Sequence, residues 1–144
     1  MNRRYPDAPI SAAGIVLIFE ERVLLVLRRN PPTAGHWSFP GGAHEVGETI
    51  QEAARREMRE ETGLEIKDLR LLDVGDIILR DTEGHVEYHY MVTYFVAHPA
   101  GGTLLSSDDA SDARWFSYDE ALSLGLSRRL LQLTRQALTL DKQP

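Results

Sequence analysis

The stretch from Gly41 to Leu64, GGAHEVGETIQEAARREMREETGL, constrains this chain more than any other. Thr49 followed by Glu52 is a capping-box start and Gly63 a C-terminal stop, so the spacing predicts a helix of about fourteen residues between them. At about 100° per residue, Ala53, Ile50, Ala54 and Met58 form one apolar arc. Glu57 and Glu61 fall inside that arc and Glu60 borders it, while Gln51, Glu52, Arg55, Arg59 and Thr62 fill the rest of the surface. The solvated face already has its charges. A carboxylate in an apolar arc is costly unless paired, and three acids within one turn repel one another. A divalent cation answers both problems, and oxygen-only donors favour hard ions, Mg²⁺ or Mn²⁺ before Zn²⁺. Arg56, four residues before Glu60, can neutralise or orient the acids from the edge. The other reading is a solvated amphipathic helix laced by Arg–Glu pairs four residues apart.

The turn before the helix favours the cation. Pro40-Gly41-Gly42, and then Gly47, let backbone approach a ligand and place a carbonyl where a metal can use it. Together these residues resemble the signature of the Nudix hydrolases, G-x5-E-x7-R-E-U-x-E-E-x-G-U, with U a bulky apolar residue. Gly42, Glu48, Arg56, Glu57, Met58, Glu60, Glu61, Gly63 and Leu64 match it at every specified position. The resemblance implies hydrolysis of a nucleoside diphosphate linked to another group, by water attacking phosphorus with Mg²⁺ or Mn²⁺ as cofactor. It implies Glu57, Glu60 and Glu61 as metal ligands and catalytic base, the Gly41 carbonyl as a further ligand, and Arg56 with Glu48 as an orienting pair. Which glutamate is the base differs among members of the family.

The chain has 144 residues, enough for one compact domain and too few for two. Residues 1–144 are therefore expected to form a single domain, with residues 1–9 and their two prolines as a loose N-terminal arm. The absence of cysteine excludes disulfides and a thiolate zinc site and fits a reducing, cytoplasmic compartment. A net charge of −6 argues against wrapping a nucleic acid polymer. Within Gly41 to Leu64, six glutamates against three arginines account for half of that charge, which suits a cation that bridges to an anionic substrate. Arg3 and Arg4 precede an apolar run from Ala12 to Phe19, but Glu20-Glu21-Arg22 follows where a signal peptide needs small residues. No stretch approaches the roughly twenty apolar residues of a membrane span. The partners expected are a nucleotide-derived small molecule, no nucleic acid polymer and no membrane. Nudix proteins are often dimers, which adds a homodimer.

Ser11–Phe19 and Val23–Leu27 read as strands joined by a short charged turn. Arg28 closes the second strand beside the acidic cluster, either as a phosphate contact or as a solvated strand end. Trp37 and Phe39 enter the glycines and either stack on a base or plug the core beneath the turn, the core being favoured. Arg28, Trp37 and Glu48 are the substrate-side candidates. His36 has no second histidine at metal-ligand spacing. Leu69–Leu79 and Val86–Ala97 read as a long hairpin around Asp81-Thr82-Glu83-Gly84, with Gly75 marking a bulge. In its second arm His85, Glu87, His89 and Met91 alternate with Val86, Tyr88, Tyr90 and Val92, so one row can face a site and the other a core. Thr103–Ser106 reads as a short strand, Ser107–Asp112 as an acidic loop and Trp115-Phe116 as a core strand. In Nudix proteins an acid outside the signature often completes the metal site from such a loop, and Asp109 and Asp112 are the candidates. Ser117 and Ser127 cap two final helices, the last burying Leu126, Leu130, Leu131, Leu133 and Leu138.

The fold class expected is α/β, a curved mixed β-sheet sandwiched between α-helices, with the acidic helix on one face and the C-terminal helix on the other. This resembles the Nudix fold, and the long adjacent hairpins speak against an all-parallel sheet. The W-S-F-P-G-G arrangement and Trp115-Phe116 resemble the branch of ADP-ribose and nucleoside diphosphate-sugar pyrophosphatases, which release a nucleoside monophosphate and a phosphorylated group. The proline that follows the signature by about fifteen residues in ADP-ribose enzymes is absent, and Leu79 and Arg80 stand there. Two alternatives accompany this reading: a (d)NTP pyrophosphohydrolase, and a nucleotide-sensing module without turnover. Loss of a signature glutamate would favour the module, and none is lost.

Overall fold

A strand whose successive residues are all apolar needs cover on both faces, and the run Ile15-Val16-Leu17-Ile18 becomes such a strand. The structure, a computed structural model, describes residues 3–105 and 110–143. Its elements in order are β1 (Ile10–Phe19), β2 (Arg22–Arg28), β3 (Trp37–Ser38), β4 (Gly41–Ala43), α1 (Ile50–Thr62), β5 (Leu64–Arg80), β6 (Val86–Gly102), β7 (Ala110–Phe116), α2 (Tyr118–Leu122) and α3 (Arg128–Asp141). Ala13, Ile15 and Leu17 of β1 pack with Ala53, Ala54 and Met58 of α1. Ala12, Val16 and Ile18 pack on the other face with Leu133 and Ala137 of α3. Each large side chain fully buried here contributes about 1.5–3 kcal/mol. The result is the mixed sheet between helices that the sequence predicts.

β1 is the spine. It pairs in parallel with β6 from Ile10 to Leu17, antiparallel with β4 at Ala12–Gly14, and antiparallel with β2 at Ile18 and Phe19. β5 lies outside β6, and β2 carries β3 and β7. Between β1 and β2, Glu20 and Glu21 both have positive φ, a two-residue mirror-image turn whose twist matches that of the strands it joins. The passage from β3 to β4 therefore crosses from β2 to β1. That crossing lies beside α1 and forms the floor of the site.

The hairpin is longer than its alternation suggests. β5 begins directly after Gly63 and β6 continues to Gly102, through the His98-Pro99 segment expected to end it. Register shifts lie between Glu65 and Ile66, Lys67 and Arg70, and Leu71 and Asp73, around Asp68 with its φ of 57°. Gly75 is not a bulge, for it stays in register with Val92. It marks a close approach instead, since a Cβ there would stand 3.2 Å from Arg129 Nη2. Thr103–Leu105 is not a strand; the Leu105 N–H donates to the Thr62 carbonyl at 2.7 Å. Tyr90 and Val92 face the α3 side, whereas Glu87 meets Arg4 and His89 meets Asp76. Residues 3–9 form no regular element, yet the Tyr5 N–H donates to the Glu87 carbonyl at 2.7 Å and the Tyr5 hydroxyl to Asp81 at 2.8 Å. Among the described residues no helix is long and apolar enough to cross a membrane.

One clasp joins sheet to helix. His98 of β6 meets Asp68 of β5 at 2.9 Å through Nδ1 and Asp141 of α3 at 2.6 Å through Nε2. Only the imidazolium donates from both nitrogens, and the hydrogen bond to Asp68, with that to Asp141, raises the His98 pKa above its ordinary 6.5. A raised folded pKa contributes stability that is fully present below about pH 6.5 and is lost as pH rises through the raised value. The Tm is therefore expected to fall by about 1–3 °C more between pH 6 and pH 8.5 in the wild type than in His98→Asn. Parallel Tm-against-pH curves for the two proteins would remove the clasp from the account.

Candidate active site

The acidic helix is held in place by its ends. Thr49 Oγ1 accepts from the Glu52 N–H at 3.1 Å, Glu52 Oε1 accepts from the Thr49 N–H at 3.0 Å, and Gly63 closes the helix in the left-handed conformation. Burial of Ala53, Ala54 and Met58 then fixes the rotation of α1, which brings its last acids beside β4. Glu61 is 2% exposed, the Glu57 side chain 14% and the Glu60 side chain 61%. Glu60 is the most exposed of the three, as its place at the border of the arc predicts, whereas Thr62, expected on the solvated face, is buried and its hydroxyl donates to the Met58 carbonyl at 2.7 Å.

Two guanidiniums divide the acids. Arg56 grips Glu48 with both arms of its fork, Nη2 to Oε1 at 2.7 Å and Nε to Oε2 at 3.0 Å. Its Nη1 reaches Glu57 at 2.9 Å and Glu60 at 3.1 Å, and Nη2 also donates to the Ala43 carbonyl at 2.8 Å. The hydrogen bond to Arg56 lowers the Glu48 pKa to about 2, and the same bond raises that of Arg56. Arg28, at the end of β2, makes an ion pair with Glu61. It also donates from Nε to Ser38 Oγ at 2.9 Å and from Nη2 to the Phe39 carbonyl at 2.8 Å. The Gly41 N–H donates to the other Glu61 oxygen at 2.8 Å.

Glycine at 42 makes room for the Glu57 carboxylate. A Cβ there would stand 2.5 Å from Glu57 Cδ and 2.6 Å from each carboxylate oxygen. The loop after it is pinned by His44, whose Nε2 lies 2.6 Å from the Glu48 carbonyl and whose Nδ1 lies 3.1 Å from Ser11 Oγ. Sequence reasoning singled out neither His44 nor Ser38, because the contact of His44 with Ser11 spans 33 residues and Arg28 meets Ser38 only once β2 and β3 pair.

The substrate-side candidates separate. Arg28 reaches Glu61, and Glu48 reaches Glu57 and Glu60 through Arg56. Trp37 is half-buried, packs edge-on against Phe116 at 5.1 Å, and lies under the Arg114 guanidinium at 5.8 Å. It pairs with Leu27 across the strands, so its ring and the Arg28 side chain leave on opposite faces. Asp112 meets Arg114 at 2.6 Å and caps the Ala113 N–H at 2.8 Å. Asp109 lies outside the described residues.

The donor set fits a hard divalent ion: carboxylates of Glu57, Glu60 and Glu61, the Gly41 carbonyl, and space at Gly42 for the Glu57 head group. Among the described residues no three acids or histidines already converge on one point. The carboxylates are turned toward the two guanidiniums, and holding a metal requires them to be shared with it.

Comparison with known proteins identifies relatives of this chain. The chain is 39% identical over 114 residues to a Methanocaldococcus jannaschii protein named ADP-ribose pyrophosphatase, covering 79% of this chain and 64% of that one. It is 31% identical over 139 residues to a Haemophilus influenzae protein named NAD-capped RNA hydrolase NudC, covering 90% and 50%. The chain thus spans less than two thirds of the length of either relative. Its fold matches the crystal structure of a MutT NUDIX hydrolase from Burkholderia pseudomallei with a TM-score of 0.78 at 27% identity, covering 90% of this chain and 98% of the other. A family model described as the NUDIX domain matches residues 8–137, and on that match the chain belongs to the Nudix family.

Proposed function

We propose that this chain hydrolyses the pyrophosphate bond of a nucleoside diphosphate derivative, ADP-ribose or a nucleotide sugar, giving a nucleoside monophosphate and a phosphorylated group. The observation that carries the reading is the junction of α1 with β4, where Glu57 and Glu61 stand against the Gly41-Gly42 backbone and Glu60 is joined to Glu57 through Arg56. Glu57, Glu60, Glu61 and the Gly41 carbonyl would hold Mg²⁺ or Mn²⁺, which would supply positive charge against the phosphates and make water a stronger acid there. The residues of the chain do the rest. Arg56, itself fixed by Glu48, orients Glu57 and Glu60. One of the glutamates accepts the proton of the attacking water. Glu48 acts through Arg56 as a positioning residue, and Arg28 occupies the inner side of the site.

The relative named ADP-ribose pyrophosphatase supports the diphosphate class, and the net charge of −6 supports a small anionic substrate rather than a polymer. The test is a Mg²⁺ and Mn²⁺ dependent screen over ADP-ribose, nucleotide sugars, NAD, NAD-capped RNA, dinucleoside polyphosphates and (d)NTPs, with products identified by mass. Monophosphate plus sugar phosphate is the expected outcome. Monophosphate plus pyrophosphate from a triphosphate replaces this reading with a (d)NTP pyrophosphohydrolase; Leu79 and Arg80, where ADP-ribose enzymes carry a proline, weigh only against ADP-ribose within the diphosphate class. Binding without turnover replaces it with a nucleotide-sensing module.

A further inference from the structure

Glu61 is a carboxylate almost fully removed from water, at 2% exposure, and such a charge persists only with a counter-ion. Arg28 is that counter-ion, and its fork does more than neutralise. Nε donates to Ser38 Oγ at 2.9 Å, Nη2 to the Phe39 carbonyl at 2.8 Å and to the Gly41 carbonyl at 3.4 Å, and Nη1 to Glu61. One guanidinium thus joins the end of β2, the passage from β3 to β4, and the buried side of α1. Two of the groups it touches, Glu61 and the Gly41 carbonyl, belong to the donor set assigned above to the metal. Arg56 differs, because its tightest partner is Glu48, which lies outside that set.

We propose that Arg28 is a resident cation of the site: a positioning residue that holds Glu61 and the Gly41 carbonyl before metal binds and then competes with the metal for both. The proposal rests on the metal-dependent reading of the site. Two cations that share one carboxylate in a poorly hydrated place repel each other. Removing the guanidinium leaves a buried acid whose best remaining counter-ion is the metal. The affinity for metal then rises, and the fold comes to depend on it.

The experiment is a Mn²⁺ titration of the whole chain, with free Mn²⁺ followed by electron paramagnetic resonance and Tm measured with and without the ion. Arg28→Gln is expected to bind Mn²⁺ about tenfold more tightly than wild type, to melt lower in chelator, and to gain more Tm from Mn²⁺. A merely structural role predicts the reverse, since a damaged site binds metal more weakly. Ser38→Ala, which removes only the anchor of Nε, decides the matter if Arg28→Gln does not fold; it is expected to tighten binding about twofold to threefold. Affinity unchanged or weakened in the folded variants overturns the proposal. If the wild type hydrolyses its substrate only with metal and the variants bind no tighter, the role of Arg28 falls alone. If no protein binds Mn²⁺ and hydrolysis needs no metal, the metal reading falls as well.

Discussion

Glu57→Gln is expected to lower kcat by about 10²–10⁴-fold while the Tm stays within about 3 °C of wild type. Glu57 touches both the Arg56 guanidinium and the glycine turn. It accepts from Arg56 Nη1 at 2.9 Å, and its carboxylate fills the space left by the missing side chain of Gly42. Glutamine keeps the shape and removes the charge, so a metal loses an anionic ligand and developing charge on the phosphate loses its support. Arg56 keeps its bidentate bond to Glu48 and its contacts with Glu60 and the Ala43 carbonyl, which is why the fold survives. The control is Glu52→Gln on the exposed side of the same helix, where turnover is expected to be unchanged because glutamine also completes a capping box. The two variants are compared by steady-state kinetics at several Mg²⁺ concentrations and by thermal melts. Wild-type turnover in Glu57→Gln would remove this residue from the metal site.

What the sequence revealed depended on how local each cause was. The ends of α1 were legible because Thr49, Glu52 and Gly63 act within one turn of their own positions. That Glu60 is more exposed than Glu57 and Glu61 was legible because a helix of known period must turn Ala53, Ala54 and Met58 inward. Arg28 was legible only as a cation near the acids. Its ion pair with Glu61 spans 33 residues of sequence and needs β2, β3 and α1 to converge. The parallel pairing of β1 with β6 is equally non-local, as is the clasp of His98 on Asp141. Gly75 misled for a physical reason. A glycine inside a strand signals either a bulge or a close neighbour, and the neighbour here is an arginine that follows 54 residues later, far beyond the reach of any strand pattern. Trp37 shows the same limit, because an aromatic beside a glycine turn has the same sequence whether it meets a base or Phe116.

The two adjacent glycines of the turn are expected to fail in opposite ways when each is replaced by alanine. Gly41 has a φ of +152°, and a Cβ there would run into the backbone carbonyl oxygen of Ala13 and stand 3.0 Å from Gly14 Cα. Both obstacles belong to the middle of β1, where that strand pairs with β4 and β6, so neither can move without opening the sheet. Gly41→Ala is therefore expected to lose about 2–4 kcal/mol of stability. Gly42 has no such backbone constraint, and the three atoms nearest its added Cβ all belong to the Glu57 carboxylate, at 2.5–2.6 Å. That head group ends a flexible side chain and can move aside, which spares the fold but shifts the proposed metal ligand by the order of an ångström. A displacement of that size costs about 10²-fold in rate when a reacting group depends on it. Gly42→Ala is accordingly expected to keep its melting curve and lose about 10²-fold in kcat/KM, with more metal needed for half-maximal activity. Urea melts and metal titrations of the two variants separate the cases. If Gly42→Ala instead loses stability and keeps its turnover, then the carboxylate of Glu57 is part of the packing under the turn and not of the chemistry above it.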